Sequence, residues 1–202
     1  MHRTVLLAAL YLLAVAASAA TVGPTTQPQA THIDDTRPLL RLKLEAARHL
    51  TIQLPGMSHH FSQPTDQNGN LLAGREFNEQ NWGLGLQLER AMTGDGSLWV
   101  TKTSVGVMKD SLNAMGLYAG HTWQKRVHEG ASLSADAGGG AFLFYRTLQF
   151  NGSRKLVPAL LPVLSTLHRD SGLGLNLVLV PRLKMKSGVM PGVIYLQFTK
   201  AF

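Results

Sequence analysis

The last eleven residues of the chain, 192–202, alternate between two faces with a period of two. A strand with an apolar outer face, a mixed inner face and an aromatic end is typical of the final strand of a bacterial outer-membrane β-barrel. This segment therefore predicts that the protein folds in lipid. The apolar face consists of Ile194, Leu196, Phe198 and Phe202, and the mixed face of Tyr195, Gln197, Thr199 and Ala201.

The same period recurs beyond residue 50, in segments close to the roughly 9–11 residues that a tilted transmembrane strand needs. In residues 82–90 and 172–180, leucines alternate with glycine or polar residues, so we expect the leucines to face lipid. The sequence thus predicts an all-β protein, an eight-stranded antiparallel transmembrane β-barrel. The predicted strands are 50–61, 82–90, 98–108, 115–125, 131–145, 155–164, 172–180 and 193–202.

The connections between these strands orient the predicted barrel. Outer-membrane barrels have short periplasmic turns and longer outer loops. The second and sixth strands are followed by short turns at 93–96 and 168–171, and the first and seventh by long loops at 62–77 and 182–192. The odd-numbered strands are therefore expected to run outward, with both termini in the periplasm.

Three segments precede the predicted barrel, which we place at residues 50–202. Residues 1–20 combine a basic start, an apolar run and an A-x-A arrangement at 17–19, which is typical of a cleaved signal peptide. The alternative, a retained helical anchor, is disfavoured because the run falls short of roughly 20 apolar residues. Residues 21–35 predict a flexible leader. Residues 36–49 predict a short amphipathic helix, which either clamps the barrel to lipid headgroups or simply caps it.

Composition excludes several classes of function. About 180 residues remain after signal removal, which is enough for one domain without internal repeats. The absence of cysteine excludes disulfides and thiolate chemistry. The formal charge of +7 suits anionic lipid headgroups, and no interleaving of aromatic and basic residues indicates nucleic acid.

The interior of an eight-stranded barrel is filled by side chains or holds one small ligand, so a diffusive pore is not expected. Many inward positions are glycine. Either they leave room for an acyl chain, or they relieve crowding in a small, strongly curved barrel. The inward glycines are Gly83, Gly85, Gly116, Gly120, Gly138 and Gly140.

Polar residues with catalytic potential meet at the outer rim of the predicted barrel. His60 ends the first strand, and Asp110 and Ser111 follow the third. A hydroxyl, a base and an acidic neighbour are the groups that acyl transfer uses. His59 supplies a second imidazole, and a solvated rim loop has the same composition, so the residues alone leave both interpretations open.

Several motifs along the chain resemble, in their order, those of the lipid A palmitoyltransferase (PagP) family of outer-membrane enzymes. The resemblance runs from about residue 40 to residue 202. The eight predicted strands and the preceding helix agree with it. The motifs are Asn78-Glu79-Gln80-Asn81-Trp82-Gly83-Leu84-Gly85, Lys109-Asp110-Ser111, Ala119-Gly120-His121-Thr122-Trp123, Leu160-Leu161-Pro162 and Val180-Pro181.

This resemblance implies a cell outer-membrane enzyme that moves a palmitoyl chain from the sn-1 position of a glycerophospholipid to lipid A. No cofactor, metal or nucleic acid is implied. The essential histidine of the family lies five residues after a proline, which is His60 counted from Pro55. Asp110 and Ser111 match the family's Asp-Ser pair, and Gly120 matches the position that sets acyl-chain length.

The resemblance also suggests how the lipids are held. Cations at the rim are reasonable partners for lipid phosphates; the candidates are Arg75, Lys109 and Arg154. Relatives carry a proline before the tryptophan of the second strand, where this chain has Asn81. If that proline allows lipid to enter through the barrel wall, lipid must enter this barrel through a gap elsewhere in the wall. Pro55, Pro162 and Pro181 are candidates because each removes a ladder donor.

Two rival interpretations remain open from the sequence. A lipid A or phospholipid acyl hydrolase would use the same hydroxyl and imidazole with water as the acceptor. A non-catalytic structural barrel would use neither. The leucine-rich outer surface suits a monomer and a loose homodimer equally.

Overall fold

A computed structural model of the protein describes residues 48–66, 70–94, 97–148, 153–185 and 188–202. The predicted signal peptide and leader lie outside these residues, as does most of the predicted helix 36–49. The first strand begins at Arg48, so the barrel starts two residues earlier than predicted and the end of the predicted helix is strand.

All described secondary structure is β. Eight long strands pair with their neighbours in antiparallel order, and the last pairs with the first to close the barrel. The eight predicted strands are thus confirmed, and most of them extend beyond the predicted bounds. The strands are β1 (Arg48–His60), β2 (Gln80–Asn81), β3 (Gly83–Gly94), β4 (Ser97–Lys109), β5 (Met115–Glu129), β6 (Leu133–Thr147), β7 (Arg154–His168), β8 (Leu173–Val180), β9 (Leu183–Met185), β10 (Gly188–Met190) and β11 (Val193–Ala201).

Three short strands do not belong to this set of eight. The two-residue strand β2 precedes β3 and pairs with β1, and β9 and β10 form a separate hairpin within the loop before β11. Within the described ranges, no helix is long and apolar enough to cross a membrane.

The two faces of the wall differ as the period of two predicts. Leu84 and Leu86 on β3 are 59% and 51% exposed on the outside, whereas Gln87 is 5% exposed inside. Leu177 lies on the outer face as predicted, since its neighbours Asn176 and Val178 line the cavity, but only 5% of it is exposed. It pairs with Leu196 on β11, and the two side chains pack against each other and their apolar neighbours.

A β-bulge in β1 changes which face its residues occupy. Gln53 pairs with Thr199, and Gly56 pairs with Gln197, so β1 carries one more residue than β11 in this interval. Pro55 lies in the interval and has no N–H group for the ladder. A one-residue insertion exchanges inner and outer faces. Odd-numbered residues of β1 therefore face inward before the bulge, and even-numbered residues, including His60, face inward after it.

The connections alternate as predicted between a turn end and a loop end. At the turn end, β3 connects to β4, β5 to β6, and β7 to β8 through a few residues each. At the loop end lie the longer connections 61–79, 110–114, 148–153 and 181–192. The carboxyl end of β1, which carries His60, belongs to the loop end.

Charged side chains fill the barrel interior near the turn end. Lys102 lies 3.1 Å from Asp136 and 3.6 Å from Glu89, and Arg126 lies 2.6 Å from both Asp136 and Glu129. Lys102 and Asp136 are almost fully buried. Removing one of these charges would therefore leave its partner unpaired inside the barrel, which is energetically costly. We call these five residues the ionic base.

Among the described residues, backbone pairing between adjacent strands is interrupted beside two prolines. On one side of β1, pairing with β3 ends at Gln53 and pairing with β2 begins at Gly56, so Pro55 is passed over. On β7, pairing with β8 covers only residues 163–168, and Pro162 lies immediately before the last pair. These interruptions coincide with two of the three prolines singled out in the sequence.

Candidate active site

A cavity of about 450 Å³ extends from the loop end into the barrel. This volume lies within the range of small-ligand pockets. Its walls are mainly apolar, and His60, Asp110 and Ser111 all line it. The structure therefore brings together the three residues that the sequence singled out, although fifty positions separate the first from the others.

His60 is held at the mouth of this cavity by its packing. Its side chain is 9% exposed, and its ring stacks on Phe77 with centroids 4.1 Å apart and planes 15° from parallel. Its Nδ1 atom is buried without a hydrogen-bond partner among the described residues. Such orphaned groups in a native fold call for an explanation, and a substrate group is one.

The surroundings of His60 keep its imidazole neutral. His60 is the last residue of β1, at the loop end and beyond the central part of the wall. Burial lowers its pKa to about 4; the charge of Glu79 acts in the opposite direction, and Arg146 and His59 add to the lowering. At neutral pH a free imidazole is available to accept a proton.

His59 occupies the other face of the strand. Its Nδ1 atom lies 3.5 Å from a carboxylate oxygen of Glu79, and its ring makes an edge contact with Phe61. It does not line the cavity. Adjacent strand residues face opposite sides, and the bulge at Pro55 decides that His60, not His59, faces the cavity.

Asp110 organises a tight turn that carries Ser111. The Oδ1 atom of Asp110 accepts hydrogen bonds from the backbone N–H groups of Leu112 and Ala114, both at 2.9 Å. Asn113 completes the turn with a φ of 67°, a conformation that asparagine tolerates. Asp110 is 2% exposed, and its Oδ2 atom has no partner among the described residues. Asp110 therefore positions the backbone of Ser111.

Asn78, which the sequence analysis named only as part of a family motif, connects this turn to β1. Its backbone N–H donates to the carbonyl of Ser111 at 2.8 Å, and its side-chain amide donates to the carbonyl of Asp110 at 3.1 Å. The hydroxyl of Ser58 donates to the carbonyl of Asn78 at 3.3 Å. These bonds fix the Asp110 turn relative to the strand that carries His60.

Arg146, at the end of β6, is the cation that the sequence reasoning missed. It lines the cavity and is an electrostatic neighbour of both Asp110 and His60. Of the three predicted rim cations, Arg75 lines the cavity, whereas Lys109 and Arg154 do not. The alternation along β6 could have identified Arg146 from the sequence, because it places Arg146 on the same inner face as Phe144.

The inward glycines do not line the cavity. A Cβ built on Gly85 would lie 2.7 Å from Oε1 of Gln53, and one built on Gly140 would lie 2.9 Å from Cε2 of Phe142. At these positions the missing side chains make room for neighbouring residues. The alternative that glycine relieves crowding therefore describes the structure, and the space for a ligand is bounded by other residues.

A hydrogen-bonded polar layer crosses the barrel below the apolar part of the cavity. Gln53 donates to Gln87 at 3.1 Å and accepts from Tyr118 at 2.7 Å, and Ser165 donates to Asn176 at 2.8 Å. The amide of Asn176 lies 3.4 Å from Gln87, which joins the two halves of the layer. Lys102 of the ionic base also lines the cavity, so the paired charges border the cavity together with this polar layer.

Comparison with known proteins agrees with this architecture. Residues 44–198 match the family described as "Antimicrobial peptide resistance and lipid A acylation protein PagP". The chain belongs to the PagP family. This membership confirms the resemblance noted in the sequence, and the match covers the whole wall of the barrel except the last three residues of β11.

Other comparisons add little to the family assignment. No curated protein sequence matches the chain. Among solved structures, the backbone structure of the Yersinia pestis outer membrane protein Ail in a phospholipid bilayer nanodisc is 11% identical, with a TM-score of 0.37. That match covers 76% of this chain and 99% of Ail. The similarity is too low to support conclusions about this PagP-family chain.

Proposed function

We propose that this protein is an outer-membrane acyltransferase that moves a palmitoyl or similar chain from the sn-1 position of a glycerophospholipid to lipid A. The observation that carries the proposal is the meeting of His60, Asp110 and Ser111 at the mouth of one apolar cavity, in a chain of the PagP family. The cavity would hold the acyl chain, and the rim would hold the reacting ester.

The membrane location is supported by the outer surface and by strand length. Large apolar side chains are exposed around the wall, including Leu86, Leu117 and Leu160. β5, β6 and β7 each have 15 residues, more than the roughly 9–11 needed to cross a bilayer core. The strand ends, with His60 and the Asp110 turn, then lie in the headgroup region, where ester groups are found.

The residues suit distinct roles in the transfer. The neutral imidazole of His60 accepts the proton of the attacking hydroxyl and returns it to the glycerol oxygen as the sn-1 ester bond breaks. A new ester forms on lipid A, and a lysophospholipid leaves. The hydroxyl of Ser111, which lines the same cavity, would donate to the developing oxyanion or carry the acyl group. Asp110 holds the turn that places Ser111.

Lipid entry through the wall is part of the proposal, because the cavity must be reached from the membrane. The interruption at Pro55 and the unpaired side of β7 before Val163 are two gaps in the backbone ladder that lie beside prolines. Asn81 strengthens the wall locally, since its side-chain amide donates to the carbonyl of Lys109 at 3.0 Å. The gap at Pro55 lies between the part of β1 that pairs with β3 and the part that pairs with β2.

The test is mass spectrometry of lipid A from a host that lacks its own outer-membrane lipid A acyltransferase and expresses the full chain. We expect one added acyl chain, lost in His60→Ala and Ser111→Ala. His59→Ala is the matched control, because its side chain points away from the cavity, and should retain the modification.

Two outcomes would contradict the proposal. Unmodified lipid A with released fatty acid would indicate an acyl hydrolase. Unmodified lipid A and unchanged phospholipids, with the barrel folded and inserted, would indicate a non-catalytic barrel.

A further inference from the structure

Asn81 is a buried polar residue in the wall of the cavity. Its sequence neighbours Gln80 and Trp82 are exposed on the outside of the barrel, whereas Asn81 is 2% exposed. Asn81 lines the cavity together with His60 and Asp110. Because the family resemblance places a proline at this position, the amide is a feature of this chain rather than of the family motif.

The two ends of the Asn81 amide differ in their surroundings. The Nδ2 atom donates a hydrogen bond to the carbonyl of Lys109 at 3.0 Å. The Oδ1 atom is buried and has no hydrogen-bond partner among the described residues. Exchanging the two atoms would set Oδ1 against the carbonyl oxygen of Lys109, so this bond fixes the orientation of the amide. Asn81 therefore carries an unused hydrogen-bond acceptor on the inner face of the wall.

A second acceptor without a partner belongs to the same part of the site. The Oδ2 atom of Asp110 is also buried and unpaired among the described residues, and Asp110 follows Lys109, to which Asn81 donates. Asn78 donates to the carbonyl of Asp110 at 3.1 Å, so the segment with Asn81 and the Asp110 turn are held together. An unpaired amide oxygen and an unpaired carboxylate oxygen both require a ligand group that donates a hydrogen bond.

The two substrates of the proposed reaction differ in what they can donate. Around its reacting ester, the phospholipid has only oxygen atoms that accept hydrogen bonds, and a phosphatidylcholine has no N–H or O–H group at all. Lipid A carries hydroxyl groups and amide N–H groups beside its hydroxyacyl chains. The chemistry of the unpaired oxygens therefore matches the acyl acceptor and not the acyl donor.

We propose that Asn81 positions the acceptor: its Oδ1 atom accepts a hydrogen bond from an N–H or O–H group beside the attacking hydroxyl of lipid A. This inference rests on the proposed function. The attacking hydroxyl directs its own proton to His60, so Asn81 takes a neighbouring hydrogen and fixes how the acceptor lies. The bond to Lys109 keeps the Asn81 oxygen available for this contact.

The inference predicts that substitutions of Asn81 act on one substrate only. Asn81→Leu keeps the approximate size but removes the acceptor, so the apparent KM for lipid A should rise about five- to tenfold, while the KM for phosphatidylcholine should not change. Asn81→Asp keeps an oxygen but, as a carboxylate, loses the donor to Lys109. Its KM for lipid A should stay close to that of the unsubstituted protein, whereas a residue that only braces the wall would make Asp as harmful as Leu.

The experiment measures initial rates of acyl transfer by the full-length protein in mixed micelles, with phosphatidylcholine and lipid A varied in turn and mass spectrometry as readout. Gln80→Ala, next to Asn81 but outside the barrel, is the matched control and should change neither KM. Retention of the heat-modifiable migration of a folded barrel in each variant shows that the wall is intact.

A second arm identifies the hydrogen that Asn81 accepts. Lipid A acceptors are compared whose free hydroxyacyl chain is either amide-linked or ester-linked. A rise in KM confined to the amide-linked acceptor in Asn81→Leu would identify the amide N–H, and an equal rise for both acceptors would identify a hydroxyl.

Three results would count against these assignments. An unchanged KM for lipid A in Asn81→Leu would overturn the role of Asn81 and indicate that water alone meets its oxygen. Equal rises in the KM values of both substrates, or an Asn81→Asp variant as impaired as Asn81→Leu, would overturn it in favour of a bracing role. Absence of any transfer by the unsubstituted protein would refute the proposed function instead.

Discussion

Replacing Asp110 separates a positioning role from a direct chemical role. Asp110 is 2% exposed, and its Oδ1 atom accepts two backbone hydrogen bonds at 2.9 Å. Asp110→Asn keeps an oxygen at this position but exchanges charge-assisted bonds for neutral ones, at a cost of about 1–2 kcal/mol. Asp110→Ala removes both bonds and leaves two N–H groups unpaired, at a cost of about 3–6 kcal/mol.

If Asp110 acts by ordering the turn that carries Ser111, the acyl-transfer rate should follow these costs. One factor of ten in rate corresponds to about 1.4 kcal/mol. Asp110→Asn should therefore lose roughly tenfold in rate and Asp110→Ala at least hundredfold, with the assay being initial transfer from phosphatidylcholine to lipid A. Asp170→Asn, an exposed aspartate at the turn end, is the control and should change nothing. Equal inactivation by Asn and Ala would refute the positioning role.

Three further predictions concern the imidazole, the ionic base and the outer surface. With its pKa lowered to about 4, His60 stays neutral and should support acyl transfer down to pH values well below 6.5. The folding stability linked to its burial should be lost as the pH falls from about 6.5 toward 4. A decrease in transfer rate with a midpoint near pH 6.5 would contradict this assignment. Asp136→Asn removes the negative charge that pairs with Lys102 and Arg126, so it should lower the free energy of unfolding by about 3 kcal/mol in denaturant titrations. An unchanged free energy of unfolding would show that the barrel does not depend on the ionic base. Leu86→Arg on the outer wall should cost about 2–4 kcal/mol in membrane insertion measured by folding into vesicles, and free insertion would argue against a lipid-facing β3.

The strands were predictable because the wall of a small barrel imposes a strict alternation. Each residue contacts either the interior or the outside, so Leu84 and Leu86 repeat with a period of two that no helix shares. Their ends were less predictable, because pairing continues beyond the apolar part of each segment. β7, for example, extends to His168, four residues past the predicted end.

Of the predicted site residues, His60, Asp110 and Ser111 line the cavity, whereas Gly120 does not and Arg146 was missed. Alternation without a bulge would place His59 on the inner face, since Gln53 is inward and His59 is also odd-numbered. The backbone irregularity at Pro55 reverses this, and its position depends on pairing with β11. Only the family resemblance favoured His60 over His59, and in the structure His60 is the one that lines the cavity.

Contacts across strands were beyond what the sequence can specify. Gly120 and Phe142 are 22 residues apart, and their contact follows from the register between β5 and β6. The same holds for Asn78 and the Asp110 turn, which meet through a loop with no periodic pattern. Residue type and alternation identify which face a side chain occupies, whereas register identifies its neighbour.

The ionic base closes the interior of the barrel at the turn end. A chain that enters at the loop end meets the polar layer and the paired charges, so it has no second exit toward the turn end among the described residues. Under the proposed function, an acyl tail must withdraw by the path along which it came before another donor can occupy the cavity. Turnover would then be governed by how fast a product tail vacates the barrel, and an excess of acylated product would act as an inhibitor that competes with the donor.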